Sequence, residues 1–249
     1  SLDELKNGTK QAAVSDSYNT GDVRGYMGVG GVAGMMYNGE ITGSYNLGTI
    51  NTTRRTGDVA DAATKRVSVN MGGIVGDTTE QTSAHVVLYD VYNKGQIGDE
   101  TYTFYARHVG GIVGRLSGYV DKAYNTGAIY NGYNVVGGIA GWFYKGGISN
   151  SFNTGNITVV NNNTEASSQV GGIVGAVGMY ADKADLNGGG AWALWQKGSY
   201  IENAYNLGTI RSFQGTTEIN TIGGIVGNVA GDGDSLRLSI KNVYTTGNL

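Results

Sequence analysis

An aromatic residue followed by asparagine recurs along the whole chain, and this repeat constrains the fold more than any other feature. Every copy has glycine three residues after the aromatic residue, and aliphatic residues four before it and five after it. Asparagine is present in each copy except the last, where Thr245 takes its place. The aromatic residues are Tyr18, Tyr45, Tyr92, Tyr124, Phe152, Tyr205 and Tyr244. A repeat of this kind sets the architecture of the whole chain.

A second motif, Gly-Gly-aliphatic-x-Gly, stands between the copies of the first. Its glycine pairs begin at Gly30, Gly72, Gly110, Gly137, Gly171 and Gly223. The shortest interval between aromatic residues, from Tyr18 to Tyr45, is 27 residues. We interpret 27 residues as the true period, and the longer intervals as this unit plus an insertion.

The apolar runs within each period indicate strands. They are short, rich in valine and isoleucine, and bounded by glycine and asparagine, whereas a helix needs a longer run with a period of 3.6 residues. Three short strands and three turns account for one period, and one such coil cannot bury its apolar face unless coils stack. We therefore predict an all-β chain: a right-handed parallel β-helix of six to seven coils with inserted loops, forming one domain over residues 1–249.

Stacking at about 4.8 Å places equivalent residues directly on one another. We expect an interior aliphatic stack, an asparagine ladder at a corner, and a positive φ at the glycine that follows the ladder. The Gly-Gly pair predicts close backbone approach, and the broken alternation before the tyrosines predicts a bend there. The direction of the tyrosine rings stays open. The aliphatic stack comprises Val32, Ile74, Ile112, Ile139, Ile173 and Ile225.

Two large insertions interrupt the repeat, at Asn51–Asn70 and Ala176–Ser199. The second is the best candidate for a ligand-binding site, because exposed aromatic residues in a glycine-flanked loop bind sugars or protein partners. The alternative is that Ala191–Trp195 folds back as a lid over the coil wall. The candidate residues are Tyr180, Trp192, Trp195 and Tyr200. By contrast, we expect Trp142-Phe143-Tyr144 to pack in a wall or at a corner.

Composition narrows the classes of function. Glycine contributes 44 of the 249 residues and proline none, which suits strands paired on both sides. The absence of cysteine excludes disulfides and thiolate metal sites, and the net charge of −3 argues against nucleic acid and anionic membranes. We find no apolar segment long enough to span a membrane and no signal peptide. Because the last coil breaks off at Leu249, we expect the chain to be part of a longer parent protein.

The sequence predicts no catalytic residue, cofactor or metal. Gly28–Ala33 matches the G-x-G-x-x-A pattern of dinucleotide-binding sites. However, the sequence predicts no helix after it, and the other glycine motifs show that it belongs to the repeat. The two histidines, His85 and His108, have no partner motif, and we expect them on the surface or in loops. The acids Asp58, Asp61, Asp99, Glu100, Asp232 and Asp234 are scattered over the insertions. Gly231–Ser235 is better explained as a solvated turn than as a weak calcium site.

The Gly-aliphatic-x-Gly core, as in Gly111-Ile112-Val113-Gly114, resembles the GLUG-motif repeat over about Val14 to Leu249. Such repeats occur in exported bacterial adhesin-like and haemagglutinin-like proteins and in the non-catalytic part of immunoglobulin A proteases. The resemblance implies a non-enzymatic segment of a bacterial cell-surface or secreted protein, acting as an adhesin passenger or stalk toward a host glycan or extracellular protein. The alternatives are a substrate-positioning solenoid of an immunoglobulin A protease and a polysaccharide-active β-helix enzyme.

Overall fold

The computed structural model describes residues 12–53, 69–78, 86–101, 106–131, 134–161, 168–178, 199–214, 221–230 and 238–249. All regular secondary structure in these residues is β-strand. The strands of successive coils pair in parallel, and their register places equivalent repeat residues side by side, as in Tyr45, Tyr92 and Tyr124. The predicted parallel β-helix is therefore confirmed, with seven coils, while its right hand stays a prediction.

Each coil contains up to five strand positions, which we number in chain order. Position 1 precedes the aromatic residue and comprises Ala13–Ser15, Gly39–Thr42, Val86–Tyr89 and parts of the longer strands Val113–Asp121, Ala140–Ser149, Ser199–Asn206 and Leu238–Thr245. Position 2 carries the Tyr-Asn motif at Tyr18–Asn19, Tyr45–Asn46, Tyr92–Asn93, Tyr124–Asn125, Phe152–Asn153 and the ends of Ser199–Asn206 and Leu238–Thr245. Position 3 comprises Val23–Gly25, Ile50–Thr52, Ile129–Asn131, Ile157–Asn161 and Ile210–Gln214, with Ile97 as a bridge between coils.

Positions 4 and 5 flank the Gly-Gly motif. Position 4 comprises Gly28–Gly30, Asn70–Gly72, His108–Gly110, Val135–Gly137, Gln169–Gly171 and Thr221–Gly223. Position 5 comprises Ala33–Met35, Val75–Asp77, Val174–Gly178, Val226–Ala230 and the first parts of Val113–Asp121 and Ala140–Ser149. The expectation of three strands per coil is wrong, because a bend separates positions 1 and 2 and the glycine pair folds positions 4 and 5 back on each other.

Positions 4 and 5 form a narrow hairpin that divides the interior. A Cβ on Gly114 would lie 2.7 Å from the Met71 backbone nitrogen, and a Cβ on Gly141 would lie 2.6 Å from that of Val109. The third glycine of the motif thus lets position 5 rest on the position 4 backbone of the preceding coil. The second glycine meets the asparagine of the following coil, which confirms the predicted close approach.

The hairpin separates two apolar cores. One contains the predicted aliphatic stack, with its four central isoleucines fully buried, together with the aliphatic residues four before the aromatic positions of the first six coils. The other joins position 4 to the aliphatic residues five after the aromatic positions, such as Ile129 and Ile157. Full burial of such a side chain stabilises the fold by about 1.5–3 kcal/mol, so these stacks carry much of the cohesion between coils.

The asparagine ladder is confirmed. Each side-chain amide donates to the Oδ1 of the next asparagine at 2.7–2.8 Å, and to the carbonyl of the glycine two residues later. In the last coil Thr245 accepts the bond from Asn206 at 3.3 Å. The buried amides therefore find partners along the whole row, as buried polar groups require.

The predicted positive φ at the glycine after the ladder is wrong. The left-handed residue instead lies two before the aromatic residue in every coil, at Asp16, Gly43, Asp90, Lys122, Asn150, Asn203 and Asn242. This turn is the predicted bend before the tyrosines. The glycine after the ladder is needed for space, since a Cβ on Gly127 would lie 2.0 Å from the carbonyl oxygen of Gly95 in the preceding coil.

Candidate functional site

Among the described strands, insertions separate successive positions at two corners of the solenoid. Between positions 3 and 4, extra residues separate Ile50–Thr52 from Asn70–Gly72 and Ile157–Asn161 from Gln169–Gly171. Between positions 5 and 1, they separate Val75–Asp77 from Val86–Tyr89 and Val174–Gly178 from Ser199–Asn206. In contrast, the segments that join positions 1 to 3 and 4 to 5 keep the same length in each coil.

These two corners border the open end of the hairpin, which runs along the solenoid between the start of position 4 and the end of position 5. We call this line the seam. Position 4 begins at one corner and position 5 ends at the other, and residues seven apart in sequence face each other between them. Asn70 donates to Asp77 at 2.7 Å, and Val135 packs with Trp142. The described strands therefore place the ends of these insertions beside the seam.

A buried polar network crosses the seam. The Asp77 carboxylate accepts a hydrogen bond from Asn70 and lies 3.7 Å from the Arg115 guanidinium, which donates to the Tyr144 hydroxyl at 3.0 Å. The Arg115 guanidinium lies 5.2 Å from the centre of the Tyr144 ring, and the Tyr144 ring stacks on Trp142. The network ties three successive coils together, because these residues come from the second to the fourth.

His108 lies within this network, so the expectation of a surface or loop histidine is wrong. It is the first residue of the strand His108–Gly110 and is 1% exposed. The centroids of the His108 and Trp142 rings lie 4.6 Å apart, in an edge-to-face arrangement. A carboxylate only accepts, so the Asn70 amide nitrogen faces Asp77 and its Oδ1 accepts from His108 Nδ1 at 2.7 Å. Burial, aided by Arg115 and Arg107, holds the pKa of His108 well below its usual value, so Nε2 is an unprotonated acceptor.

Further buried polar atoms line the same row of the seam. His108, Gln169 and Thr221 occupy equivalent positions in the third, fifth and sixth coils. Within the described residues, His108 Nε2, Gln169 Oε1 and Thr221 Oγ1 have no hydrogen-bond partner. Buried polar groups of this kind are rare in proteins, because each costs about 1–3 kcal/mol.

The repeated aromatic residues form a second continuous feature. Their rings stack with centroids 4.8–5.2 Å apart and interplanar angles of 2–9°. The rings point outward, opposite to the buried asparagines, and only the end rings Tyr18 and Tyr244 are more than half exposed. Inner rings have both faces covered by neighbours, so they present their edges, and the tyrosines their hydroxyl groups, rather than their faces to solvent.

Of the predicted ligand-binding residues, Tyr200 lies in the described part of the chain. Tyr180, Trp192 and Trp195 lie outside the described residues, as do most of Asn51–Asn70 and Ala176–Ser199. Tyr200 is half-buried on the outer face of position 1, where its ring lies 6.4 Å from that of Tyr119 at a tilt of 43°. Burial raises the pKa of Tyr200, and Tyr119, Glu202 and Asp121 add to the rise, which outweighs the lowering by a hydrogen bond with Ser149.

Sequence reasoning missed the residues around Tyr200, although the repeat held the signal. Tyr119, Gly147 and Tyr200 are each five residues before an aromatic residue of the repeat, so they are register neighbours in successive coils. Two residues further along, Asp121, Ser149 and Glu202 form the adjacent row. Aligning the copies at these offsets would have placed both tyrosines and both acids on one face.

The acids of the sequence do not converge on one centre. Asp99 accepts hydrogen bonds from Thr101 and from Asn51, whereas Glu100 accepts one from Tyr130. Burial raises the pKa of Asp99, but the bonds from Thr101 and Asn51 outweigh it, and the net pKa is lowered. Asp58, Asp61, Asp232, Asp234, His85 and Gly231–Ser235 lie outside the described residues. Within the described ranges, no group of three or more acids or histidines is arranged to hold a metal ion.

The structure also bears on the other sequence predictions. Gly28–Ala33 spans a strand and the turn after it, and strand Ala33–Met35 follows instead of a helix, so the dinucleotide interpretation fails. Phe143 is buried in the first core, while Trp142 and Tyr144 line the seam, as expected of wall packing. Nowhere in the described ranges is there a helix that is long and apolar enough to cross a membrane.

Comparison with known proteins gives one structural likeness. No protein-family model matches the chain, and no curated protein matches it. The fold is similar to the crystal structure, at 1.30 Å resolution, of a putative immunoglobulin A1 protease from Bacteroides ovatus. The TM-score is 0.51 at 19% identity, and the match covers 94% of this chain and 66% of that one. At this identity the likeness concerns the fold alone, and the GLUG resemblance stays a prediction.

Proposed function

We propose that this chain is a non-enzymatic solenoid of a bacterial cell-surface or secreted protein, which presents inserted loops to a host glycan or extracellular protein. The observation that carries the proposal is the confinement of the insertions to the two corners beside the seam. In repeat proteins, insertions on one face commonly form the binding surface. The solenoid would serve as an adhesin passenger or stalk, because its ladders run unbroken through the coils and hold the loops in fixed order.

The seam itself supports this proposal. Its buried polar atoms, such as Gln169 Oε1, lie beside the segments that interrupt the repeat, and loops on a rigid scaffold often carry binding residues. The Asp77–Arg115 pair and the stacked Trp142 and Tyr144 fix the scaffold beneath them. The loops would therefore start from a preorganised scaffold, which lowers the entropic cost of binding a partner.

The largest insertion can be removed without changing the register of the coil. Phe143 pairs with Val177 and Gly147 pairs with Tyr200, and the strand Ala140–Ser149 runs through this corner without a break. Replacing residues 178–199 by the sequence Tyr-Lys-Gly, as at Tyr144–Gly146, copies that uninterrupted corner. The trimmed variant should fold with the far-ultraviolet circular dichroism of a β-solenoid.

The test is a binding array of host matrix proteins and glycans, which compares the full chain with the trimmed variant and with Trp192→Ala/Trp195→Ala. We expect the full chain to bind and the trimmed, folded variant to lose most of that binding. Loss in the double tryptophan variant as well would assign the contact to the aromatic loop. Equal binding by the full and trimmed chains would overturn the role of this insertion, and no binding by the full chain would overturn the adhesin proposal.

A second candidate function is the positioning of substrate within a larger protease. It is favoured by the name of the similar structure, a putative immunoglobulin A1 protease. Incubation with immunoglobulin A1 distinguishes the two candidates. Retention of the intact antibody by this chain would support substrate positioning, whereas cleavage would overturn the non-enzymatic proposal. Absence of retention, with binding to another partner, would favour the adhesin.

A further inference from the structure

Tyr200 lies flat on the outer face of the solenoid. A Cβ built on Gly147 would lie 2.2 Å from Tyr200 Cζ, 2.5 Å from its Oη and 2.6 Å from its Cε1. These near-equal distances are those of a point beneath the face of the ring, because a point beside the ring edge would be much closer to one atom than to its neighbours. One face of Tyr200 therefore covers the Gly147 backbone, and the other face points away from the sheet.

Gly147 makes this arrangement possible. Its register neighbours in the adjacent coils are Tyr119 and Tyr200, and only a residue without a side chain leaves room for a ring to lie over it. Tyr200 leans across this gap toward Tyr119, so the two rings form a shallow surface with an angle of 43° between them. We call Tyr119, Gly147 and Tyr200 the tyrosine platform.

A polar rim borders the platform on the adjacent register row. Asp121 accepts hydrogen bonds from Ser149 at 2.9 Å and from Asn150 at 2.7 Å, and both bonds go to Oδ1. These two donors fix the carboxylate and leave Oδ2 available to a further donor. The Glu202 carboxylate lies next to Ser149 in register and is only half-buried. Two acceptor-only groups thus stand beside an upward-facing aromatic ring.

We propose that the tyrosine platform binds a neutral hexopyranose unit of a glycan. The C–H face of a pyranose ring is complementary to the electron-rich face of Tyr200, and its hydroxyl groups are donors suited to Asp121 and Glu202. The two carboxylates disfavour acidic sugars by like-charge repulsion. This inference rests on the proposed function, since it names the ligand class for the surface where the Ala176–Ser199 insertion rejoins the solenoid.

The geometry favours a sugar over a protein segment at this place. An apolar protein anchor requires a pocket that removes its surface from water, whereas the platform is a shallow face of two half-buried rings. A flat ring with fixed carboxylate acceptors at its side instead suits a ligand with one apolar face and a hydroxyl-rich rim. The occupant is therefore a sugar unit rather than an apolar side chain.

Three variants separate the parts of the platform. Tyr200→Ala removes the ring, Tyr200→Phe keeps the face and removes the hydroxyl, and Gly147→Ala forces the ring off the sheet. Phe213→Ala is the matched control, because Phe213 is an aromatic residue on position 3 with 55% exposure, away from the rim acids. Thermal unfolding of each variant establishes that it is folded.

The neutral probes are maltotetraose, cellotetraose, mannotetraose and chitotetraose, and the acidic probe is tetragalacturonate. Saturation-transfer NMR detects the binding of each probe. At least one neutral probe should bind, with affinity about fivefold or more weaker in Tyr200→Ala and about two- to threefold weaker in Tyr200→Phe. Gly147→Ala should weaken it as Tyr200→Ala does, while Phe213→Ala should not. Binding by none of the neutral probes, stronger binding of the acidic probe, or equal loss in Phe213→Ala would overturn the proposal.

The outcomes also separate this inference from the proposed function. A chain that binds a matrix protein through its insertion, but shows no neutral-sugar signal that depends on Tyr200, refutes the platform alone. A chain that binds neither class refutes both. Protein capture that needs Tyr200 without any glycan signal assigns the surface to another ligand class and likewise overturns the sugar proposal.

Discussion

The side chain of Asn125 covers the backbone of Gly111 in the preceding coil. A Cβ on Gly111 would lie 2.5 Å from Asn125 Cγ and 2.0 Å from the carbonyl oxygen of Gly138. The two motifs that recur in the sequence are therefore two halves of one contact, in which the hairpin tip of each coil meets the ladder amide of the next. The same contact recurs between Gly73 and Asn93, and this repetition explains why both motifs share one period.

Replacement of Asn125 tests how much the ladder stabilises the solenoid. Asn125 donates to Asn153 at 2.8 Å and to the Gly127 carbonyl at 2.9 Å, and accepts from Asn93 at 2.8 Å. Asn125→Ala should lower the free energy of unfolding by about 2–4 kcal/mol, since it leaves a cavity and buried polar atoms without partners. Urea unfolding measures this change in the free energy of unfolding. Asn19→Ala, in the more exposed first coil, should lower the free energy of unfolding clearly less. An equal decrease in both variants would contradict the stabilising role of the buried ladder.

Two glycines at the same repeat position give a matched test of close packing. A Cβ on Gly127 would lie 2.0 Å from the Gly95 carbonyl oxygen, whereas a Cβ on Gly21 would lie 3.8 Å from its nearest neighbour, Asn19 Oδ1. Gly127→Ala should therefore destabilise by about 1–3 kcal/mol or more, while Gly21→Ala should be neutral or slightly stabilising. Thermal unfolding of both variants decides this, and a similar loss in both would mean that the glycine serves conformation rather than space.

The sequence predicted the fold best at repeat positions that carry the same type of residue in nearly every coil. The aliphatic stack and the asparagine ladder followed from the repeat, because stacking at about 4.8 Å allows only self-compatible rows. The location of the positive φ did not follow, since glycine satisfies both conformational and spatial demands and the sequence does not separate them. The positive φ could have been predicted from the position two before the aromatic residue, where the last three copies have Asn150, Asn203 and Asn242. Asparagine tolerates the left-handed conformation better than most residues.

The candidate sites were less predictable, because the residue type at their repeat positions changes from coil to coil, as at Tyr119, Gly147 and Tyr200. His108 and Asp77 are far apart in the sequence, and only the fold of the hairpin brings them to the seam. Tyr200 was expected as part of a loop, whereas it lies on a strand beside a glycine of the preceding coil. Such contacts do not recur from coil to coil, so they become visible only when the copies of the repeat are aligned in the register of the coils.

The left-handed row allows a test of backbone strain at Asn203. Its φ is 51°, and its amide makes exposed bonds at 3.2 Å with Asn150 and Asn242. Both Asn203→Gly and Asn203→Ala remove these bonds, so the difference between them isolates the conformation. Asn203→Ala should be less stable than Asn203→Gly by about 1 kcal/mol, measured by urea unfolding. Equal stability of the two variants would mean that the bend relaxes without cost.

Stability should depend on pH through His108. Burial, with Arg115 and Arg107 nearby, lowers its pKa below the ordinary value of 6.5, so the folded state holds the neutral ring. Below pH 6.5 the unfolded chain binds the proton that the folded chain refuses. The free energy of unfolding therefore keeps its full value above pH 6.5. It decreases as the pH falls below 6.5, by at most about 1.4 kcal/mol per pH unit.

Urea unfolding from pH 8 to pH 5 checks this expectation, in a His85→Gln background so that His108 is the only histidine that titrates. His108→Gln retains a donor for Asn70 Oδ1 but has no charge to acquire, so the loss of stability between pH 6.5 and pH 5 should largely disappear in this variant. A pH slope that persists unchanged in His108→Gln would place the dependence on the carboxylates. The opposite sign, with greater stability at low pH, would mean that the folded seam accepts the proton, and that the polarity assigned to the Asp77, Asn70 and His108 chain is reversed.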